Sequence, residues 1–524
     1  MTQAPSARPL VVLVALAVAC TAAGLLQAAA VAWPGPLWWL QILAVMGLLA
    51  AIETALQHAR PRIAALLGWL FGFAWLCASV WWLFISMHRY GGLPAWMAAA
   101  AVALLCGFLS LYLAGAAWGY ARWRRGHAGA DAVLFAALWL LAELARAWIF
   151  TGFPWAASGY AHVDGPLRAW APWVGAYGMG ALAAGLAAGA VLLLMRRERT
   201  PGRRLGWAAL VLVAGGLSCA VLDRVNPGFS QSAGSLQVSL LQGNVPQDQK
   251  FAEEYLPLAL AWHVRALEAA QGDLVIAPET AIPLLPDQLP QGLWPELQQR
   301  FATGRTHALF GMPLGSFEVG YTNSVVGLAP GRPGEYRYDK HHLVPFGEFI
   351  PFGFHWFTEM MNIPLGDFSR GPLNAPSFAV GTQRVAPNIC YEDLFGEELA
   401  ARFEDPRTAP TLFANVSNIG WFGDSVAIAQ HLHISRMRTL EFQRPMLRAT
   451  NTGATVVIDH QARVTGQLAP FTQGVLEATA EGREGLTPFA WWAARAGLWP
   501  LLGAALLVVA LAAAKRHKGR QGRP

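Results

Sequence analysis

The chain has 524 residues, 55% of them hydrophobic and only 13% charged, with 23 tryptophans. A soluble domain carries about 25% charged residues, so this composition excludes an ordinary soluble protein and points to the membrane. The net charge of +6 does not signal nucleic acid, because the arginines cluster beside apolar stretches, where they report topology.

Apolar stretches of about 20 residues are long enough to cross a bilayer. Seven occur early, at about 10–32, 37–57, 63–86, 93–121, 131–149, 175–195 and 205–222, and an eighth at about 497–514. We assign residues 1–222 to a transmembrane bundle of about seven helices, 235–480 to an external globular domain, and 497–514 to a C-terminal membrane helix. The first stretch has only Arg8 before it and further spans follow at once, so it is expected to remain as a span rather than to be removed as a signal peptide. One set of alternate loops carries Arg60, Arg62, Arg122, Arg124, Arg125, the run from Arg196 to Arg204 and the basic tail after Lys515. The short loops of the other set hold only Arg89 and Arg168. The positive-inside rule then predicts cytoplasmic termini and a globular domain on the outer face, in the periplasm of a cell that has one.

Two features interrupt the apolar pattern. Glu143 and Arg146 share one helix face, three residues apart, and read first as a structural ion pair, because charges inside a membrane pair or line a cavity. The loop from Phe150 to Val174 is rich in Trp, Pro and Gly, as in Phe153-Pro154-Trp155. Aromatics of this kind sit at the headgroup level.

The globular block alternates strand-like and helix-like runs, which favours an α/β layered domain. Leu236 to Gln242 reads as a strand and Phe251 to Ala270 as a helix, with apolar residues at Leu256, Leu260, Val264 and Leu267. Asp273 to Ala277 is a short buried strand that delivers Glu279 at its end, where Pro278 stops the ladder. Tyr336 to Lys340 follows, then His341-His342-Leu343-Val344-Pro345-Phe346-Gly347-Glu348. Adjacent strand residues point to opposite faces, so the two histidines are not expected to share a metal. Ser377 to Val385 reads as a strand and Leu394 to Phe403 as a helix, with Asn388-Ile389-Cys390-Tyr391-Glu392-Asp393 between them. A long helix is predicted from about Val426 to Phe442.

Of the five cysteines, Cys20, Cys77, Cys106 and Cys219 lie in apolar spans. Cys390 is alone in the globular block, which therefore holds no internal disulfide. A cysteine at a strand-to-helix turn lies where backbone N–H groups and the helix dipole favour a thiolate and can hold an oxyanion. Taken singly, Cys390 reads as a small buried hydrophobe, Glu279 as a solvated carboxylate and Lys340 as a surface cation. Their joint presence alters that weighing.

Glu279, Lys340 and Cys390, in that order, resemble the Glu-Lys-Cys triad of the nitrilase superfamily. The wording around them goes further. Pro278-Glu279-Thr280-Ala281-Ile282-Pro283, the run from Lys340 to Glu348, Cys390-Tyr391-Glu392, Ser417-Asn418-Ile419-Gly420-Trp421-Phe422-Gly423-Asp424 and the stretch Arg436 to Asn451 resemble the apolipoprotein N-acyltransferases. The resemblance covers essentially the whole chain. It implies a multi-pass α-helical membrane protein of about eight spans with an external α/β nitrilase-like αββα sandwich. It also implies acyl transfer from a phospholipid, typically phosphatidylethanolamine, through a Cys390 thioester to the diacylglyceryl-cysteine of an apolipoprotein at the inner membrane. Glu279 would be the general base and Lys340 would stabilise the oxyanion, with Glu348 tuning both. Tyr391 and Glu392 would shape the acyl and amine sites. Phe251, where the family pattern leads us to expect a tryptophan, and Trp421 are candidate substrate contacts. No cofactor, metal or nucleic acid is implied. The runner-up is a membrane-tethered nitrilase-type amidase, disfavoured because Leu394-Phe395-Gly396 stands where soluble amidases tend to carry an Arg-Phe-Pro-like run. A transporter or receptor with a merely ligand-binding domain would leave the triad without a task.

Overall fold

The computed structural model describes residues 8–32, 35–57, 61–196, 200–250, 252–316, 318–332, 334–350 and 368–521. The chain divides into two compact units, one of Met1–Trp81, Trp96–Asn226 and Leu498–Pro524, the other of Trp82–Ala95 and Pro227–Gly497.

In the first unit, seven helices among the described residues are long and apolar enough to cross a membrane. They are Leu10–Ala32, Trp38–Leu56, Pro61–Val80, Ala95–Trp123, Ala128–Thr151, Pro166–Leu194 and Pro201–Phe229, and the number becomes eight if Pro488–Ala496 and Trp499–Ala514 form one bent span. Helix is the form that satisfies every backbone group internally where water is absent. Small residues set the packing. A Cβ at Gly68 would meet Leu113 O and the Ala117 Cβ, and one at Gly72 would meet Ser110 and Leu113, so two of these helices approach at their glycines. Glu143 and Arg146 lie 3.4 Å apart. Ser158 donates to Glu143 from its N–H at 2.7 Å and from its hydroxyl at 2.9 Å, and Arg146 donates to Trp155 O at 2.5 Å. The pair thus pins the aromatic loop to its helix, which is a structural task.

The third span departs from expectation. Instead of running to residue 86 it ends at Val80, and Trp82–Ala95 belongs to the second unit. The reason lies in Trp82, which is 1% exposed. Its ring centroid is 4.2 Å from that of Phe422, and its indole N–H donates to Gln430 Oε1 at 3.1 Å. A buried indole gains from a packing partner and from an acceptor together.

The second unit is built on two six-stranded sheets. The first contains, in spatial order, β12 (Gly474–Gly485), β1 (Ser230–Gln242), β2 (Leu274–Ile276), β3 (His307–Ser316), β4 (Gly320–Leu328) and β5 (Tyr336–Asp339). The second contains β11 (Val464–Gln467), β10 (Val456–Ile458), β9 (Met446–Thr450), β8 (Leu412–Ser417), β7 (Gln383–Ile389) and β6 (Phe378–Val380). The period of two along each strand explains the layering. Leu274 and Ile276 of β2, with Leu412, Ala414 and Val416 of β8, share one core between the sheets. Val275 turns the other way to Leu260, Leu267, Leu297 and Phe301 of the helices Leu256–Ala269 and Leu293–Thr303. Phe413 turns to Phe403, Phe442 and Phe489 on the far side of the second sheet. The order of layers is therefore helix, sheet, sheet, helix.

Strands β1, β2 and β3 run parallel, as do β7, β8 and β9. The carboxyl ends of such strands are where α/β sheets place ligand sites. Two local readings are corrected. Ser377 to Val385 is not one strand but the hairpin of β6 and β7, turned at Gly381 with φ +57, a backbone region that favours glycine. The predicted helix Leu394 to Phe403 begins late: Cys390–Leu394 is a tight five-residue turn, and the helix runs over Gly396–Ala400 and tightens into a last turn at Ala401–Phe403.

Candidate active site

Glu279 leaves the end of β2 on a tight turn. Gly311 on β3 lies so close that a Cβ there would meet Glu279 Cα at 2.7 Å and Thr280 N at 2.6 Å. Glu279 is 8% exposed. Its Oε1 accepts from Asn323 at 2.8 Å, and its Oε2 accepts from the backbone N–H of Asn418, at the end of β8, at 2.9 Å. Lys340, just beyond β5, is buried, with its ammonium 2.9 Å from Glu348 Oε1 and 3.5 Å from Glu279 Oε1. Asn323, on β4, donates to Glu348 Oε1 as well, at 2.7 Å, so one amide bridges two carboxylates. Glu348 is itself fixed by the Val344 N–H at 2.8 Å.

Cys390 follows β7 with φ +51, in the left-handed region. Holding a residue with a side chain there costs about 1–3 kcal/mol and marks a position that its surroundings dictate. Two groups hold its carbonyl: Asn415 Nδ2 at 3.3 Å and His431 Nε2 at 3.2 Å. The thiol is pushed well above its ordinary range, first by burial and then by the Glu279 carboxylate, with Lys340 pulling the other way. The resting group is therefore a thiol, not the thiolate that the turn alone leads one to expect. Lys340 stays protonated. Burial would pull it down, but Glu348 and Glu279 outweigh that and raise it.

Glu392 is a brace. Its carboxylate accepts from Tyr338 at 2.6 Å, from the N–H of Ile389 at 2.6 Å, and from those of His341 and His342 at 2.7 and 3.2 Å. It ties the segment after Lys340 to the Cys390 turn. Tyr391 is buried and packs edge-on against Phe395. The two histidines face separate partners, His341 toward Gly371 O at 2.8 Å and His342 toward Glu398 at 2.9 Å. Trp421 stands edge to face with Tyr90, centroids 5.8 Å apart. Phe251 lies outside the described residues.

Three groups escaped the sequence reading. Asn323 had a signal, a polar run Tyr321-Thr322-Asn323-Ser324 in an otherwise apolar strand. Lys250, buried beside the site, donates to Glu279 O at 2.9 Å. Asp393, His431, Ser435 and Arg448 form a second buried cluster. Asp393 accepts from His431 at 2.9 Å and from Ser435 at 2.5 Å, while Arg448 donates to His431 Nδ1 at 2.7 Å. Arginine only donates, so Nδ1 accepts and the proton sits on Nε2.

Residues 23–189 match the model of the apolipoprotein N-acyltransferase N-terminal domain, and residues 237–483 match that of the carbon-nitrogen hydrolases. The apolipoprotein N-acyltransferase of Verminephrobacter eiseniae is 52% identical over 91% of this chain and 92% of that protein. The chain belongs to the apolipoprotein N-acyltransferase family. Members from Ralstonia nicotianae and Bordetella bronchiseptica are 48% and 41% identical, each over 93% of this chain and over 91% and 94% of their own lengths. The family's two matched domains correspond to an apolar helical region and a nitrilase-like sandwich, so the protein is a bacterial membrane acyltransferase.

Proposed function

We propose that this enzyme, which N-acylates apolipoproteins, carries the acyl chain on Cys390 as a thioester. The observation that carries the reading is the convergence of Glu279 and Lys340, far apart in sequence, within 3.5 Å of each other, with both acting on the Cys390 thiol.

Because the thiol is held protonated, its proton must leave during attack. Glu279 takes that proton as sulfur bonds to the ester carbonyl carbon of a phospholipid, for which phosphatidylethanolamine is the expected donor. Negative charge develops on the carbonyl oxygen, and the Lys340 ammonium stabilises it. Collapse breaks the carbon–oxygen bond, and Glu279 returns the proton to the departing lysophospholipid. In the second half, the α-amino group of a diacylglyceryl-cysteine attacks the thioester and Glu279 takes its proton. Collapse to the amide expels sulfur, which recovers the proton. Glu348 and Asn323 keep Lys340 and Glu279 in register. The distribution of arginines supports a catalytic unit on the periplasmic side and both termini in the cytoplasm.

Intact-protein mass spectrometry after incubation with phosphatidylethanolamine, without acceptor, tests the reading. A fatty-acyl mass is expected on the wild type, absent from Cys390→Ala, released by hydroxylamine and cleared as an amide by a diacylated lipopeptide. An enzyme that acylates lipopeptide but never carries an adduct would sink the thioester. An adduct discharged only by water would replace transfer by hydrolysis.

A further inference from the structure

The charges around Cys390 do not balance with the triad alone. Glu279 and Glu348 are two carboxylates, and among the described residues Lys340 is the one cation that touches them. When Glu279 takes the Cys390 proton, the surplus negative charge moves onto sulfur and then the carbonyl oxygen, in a site where burial makes unpaired charge costly. A second cation is present. Lys250 lies in the turn after β1, is 4% exposed, and makes one hydrogen bond among the described residues, to Glu279 O at 2.9 Å. Among the described residues no carboxylate lies in salt-bridge contact with it, unlike the buried cations Lys340, Arg438 and Arg448.

Its loop is latched to the same shell. The N–H of Asn244 donates to Asn451 O at 2.8 Å, and Asn451 Nδ2 donates to Val245 O at 2.8 Å and to Asn418 Oδ1 at 3.1 Å. Asn418 in turn donates to Gln247 at 2.8 Å and, through its backbone, to the Glu279 carboxylate. Glu279 is thus held at its carboxylate by Asn418 and Asn323 and at its carbonyl by Lys250. An ordered loop has carried an ammonium into the interior to meet a lone carbonyl, which the carbonyl's hydrogen bond does not explain, since an amide would serve.

We propose that Lys250 is a positioning residue of the acyl-transfer site, fixing the backbone of Glu279 and supplying the second positive charge that two carboxylates sharing one ammonium, or one carboxylate and the developing oxyanion, require. The assignment rests on Cys390 being the nucleophile. The titratable groups that act on Lys250 are Glu279 and Cys390, and His263 on the neighbouring helix feels its charge. Burial lowers its ammonium to about 8, against the pull of Glu279 and Cys390. Its charge therefore weakens through the mildly alkaline range.

The test uses the full-length protein in detergent. Iodoacetamide modification of Cys390 is followed against pH by peptide mass spectrometry in wild type, Lys250→Gln and Lys250→Met. Glutamine can keep a hydrogen bond to Glu279 O without the charge, and methionine removes both. Removing a nearby cation disfavours the thiolate, so at pH 7, where Lys250 is charged, both variants should alkylate Cys390 and form the acyl adduct about tenfold more slowly, the alkylation gap closing above about pH 8 as the wild-type lysine loses its own charge. An unchanged profile in Lys250→Gln overturns the proposal, and Lys250→Met applies the same criterion if the glutamine variant does not fold. The thioester reading is judged separately. An acyl adduct on Cys390→Ala would sink it, whereas a wild-type adduct with an unchanged Lys250→Gln profile sinks the role of Lys250 alone.

Discussion

Two buried charged clusters flank the turn at Cys390, one at its side chain and the other at its carbonyl. Around the side chain stand two carboxylates, Glu279 and Glu348, with Lys340. At the carbonyl stand one carboxylate, Asp393, one guanidinium, Arg448, and a neutral imidazole, His431. The charged groups of both clusters are buried and densely hydrogen-bonded, so burial does not separate them. Charge balance does. In the carbonyl cluster the ion pair closes on itself, and its product is a rigid Cys390 backbone in the left-handed region. In the side-chain cluster two carboxylates share one contacting ammonium, with Lys250 reaching only the Glu279 carbonyl, and the Glu279 carboxylate faces a protonated thiol, which leaves a base with a proton to take.

That contrast can be broken first at its reactive end. Glu279→Gln keeps an acceptor for the Asn418 N–H but removes the base, and acyl-adduct formation should fall about 10³–10⁴-fold, with little change in thermal unfolding. A variant that retained wild-type rates would show that this carboxylate is not the base. Asp393→Asn attacks the balanced cluster and leaves Arg448 buried without its carboxylate. The expected loss is about 3–5 kcal/mol of stability, read as a lower unfolding temperature in detergent, with acyl transfer per folded molecule largely kept. A stable but inactive Asp393→Asn would mean that this cluster also takes part in chemistry.

The sequence made the side-chain cluster far more legible than the carbonyl cluster. Glu279, Lys340 and Cys390 each end a strand inside a wording that resembles one family, so three short motifs were enough. Asp393 stands three residues after Cys390, but His431, Ser435 and Arg448 come from the helix Ala427–Phe442 and from β9. Their pairing exists only once that helix lies against the turn, and no local pattern encodes it. Lys250 was hidden for a related reason. A lysine in a polar loop reads as solvated, and only the latch of Asn451, Asn418 and Gln247 turns it inward. The end of the third span was misjudged because Trp82 is as apolar as a membrane residue, and its true partners, Phe422 and Gln430, lie more than three hundred residues away in the chain.

A gentler probe is pH. Burial and Glu279 raise the Cys390 thiol, so the thiolate is scarce near neutrality. Alkylation of Cys390 should be slower than that of an ordinary exposed thiol between pH 6 and 8 and should rise about tenfold per unit. A plateau in that range would show a resting thiolate and remove the need for Glu279 to act in the attack.

The smallest effect should come from the balanced cluster. Burial and then Arg448 hold His431 below its ordinary range, against Asp393. The unfolded chain protonates this histidine near its usual value of about 6.5, while the folded protein resists until a lower pH. The unfolded state therefore binds more protons in that window. The histidine's contribution is complete above about pH 6.5 and is lost as pH falls toward the folded value. Asp393 adds nothing to this slope near pH 6, because its carboxyl, lowered by His431 and Arg448 against the cost of burial, stays ionised in both states until far more acid conditions. His431→Gln keeps an acceptor for Arg448 and a donor for Asp393 but cannot titrate. Its unfolding temperature should fall less than the wild type's between pH 7 and 5.5. Equal slopes would mean that His431 takes up its proton as readily in the fold as in the unfolded chain, so that the cluster at the Cys390 carbonyl gains a charge of its own on mild acidification.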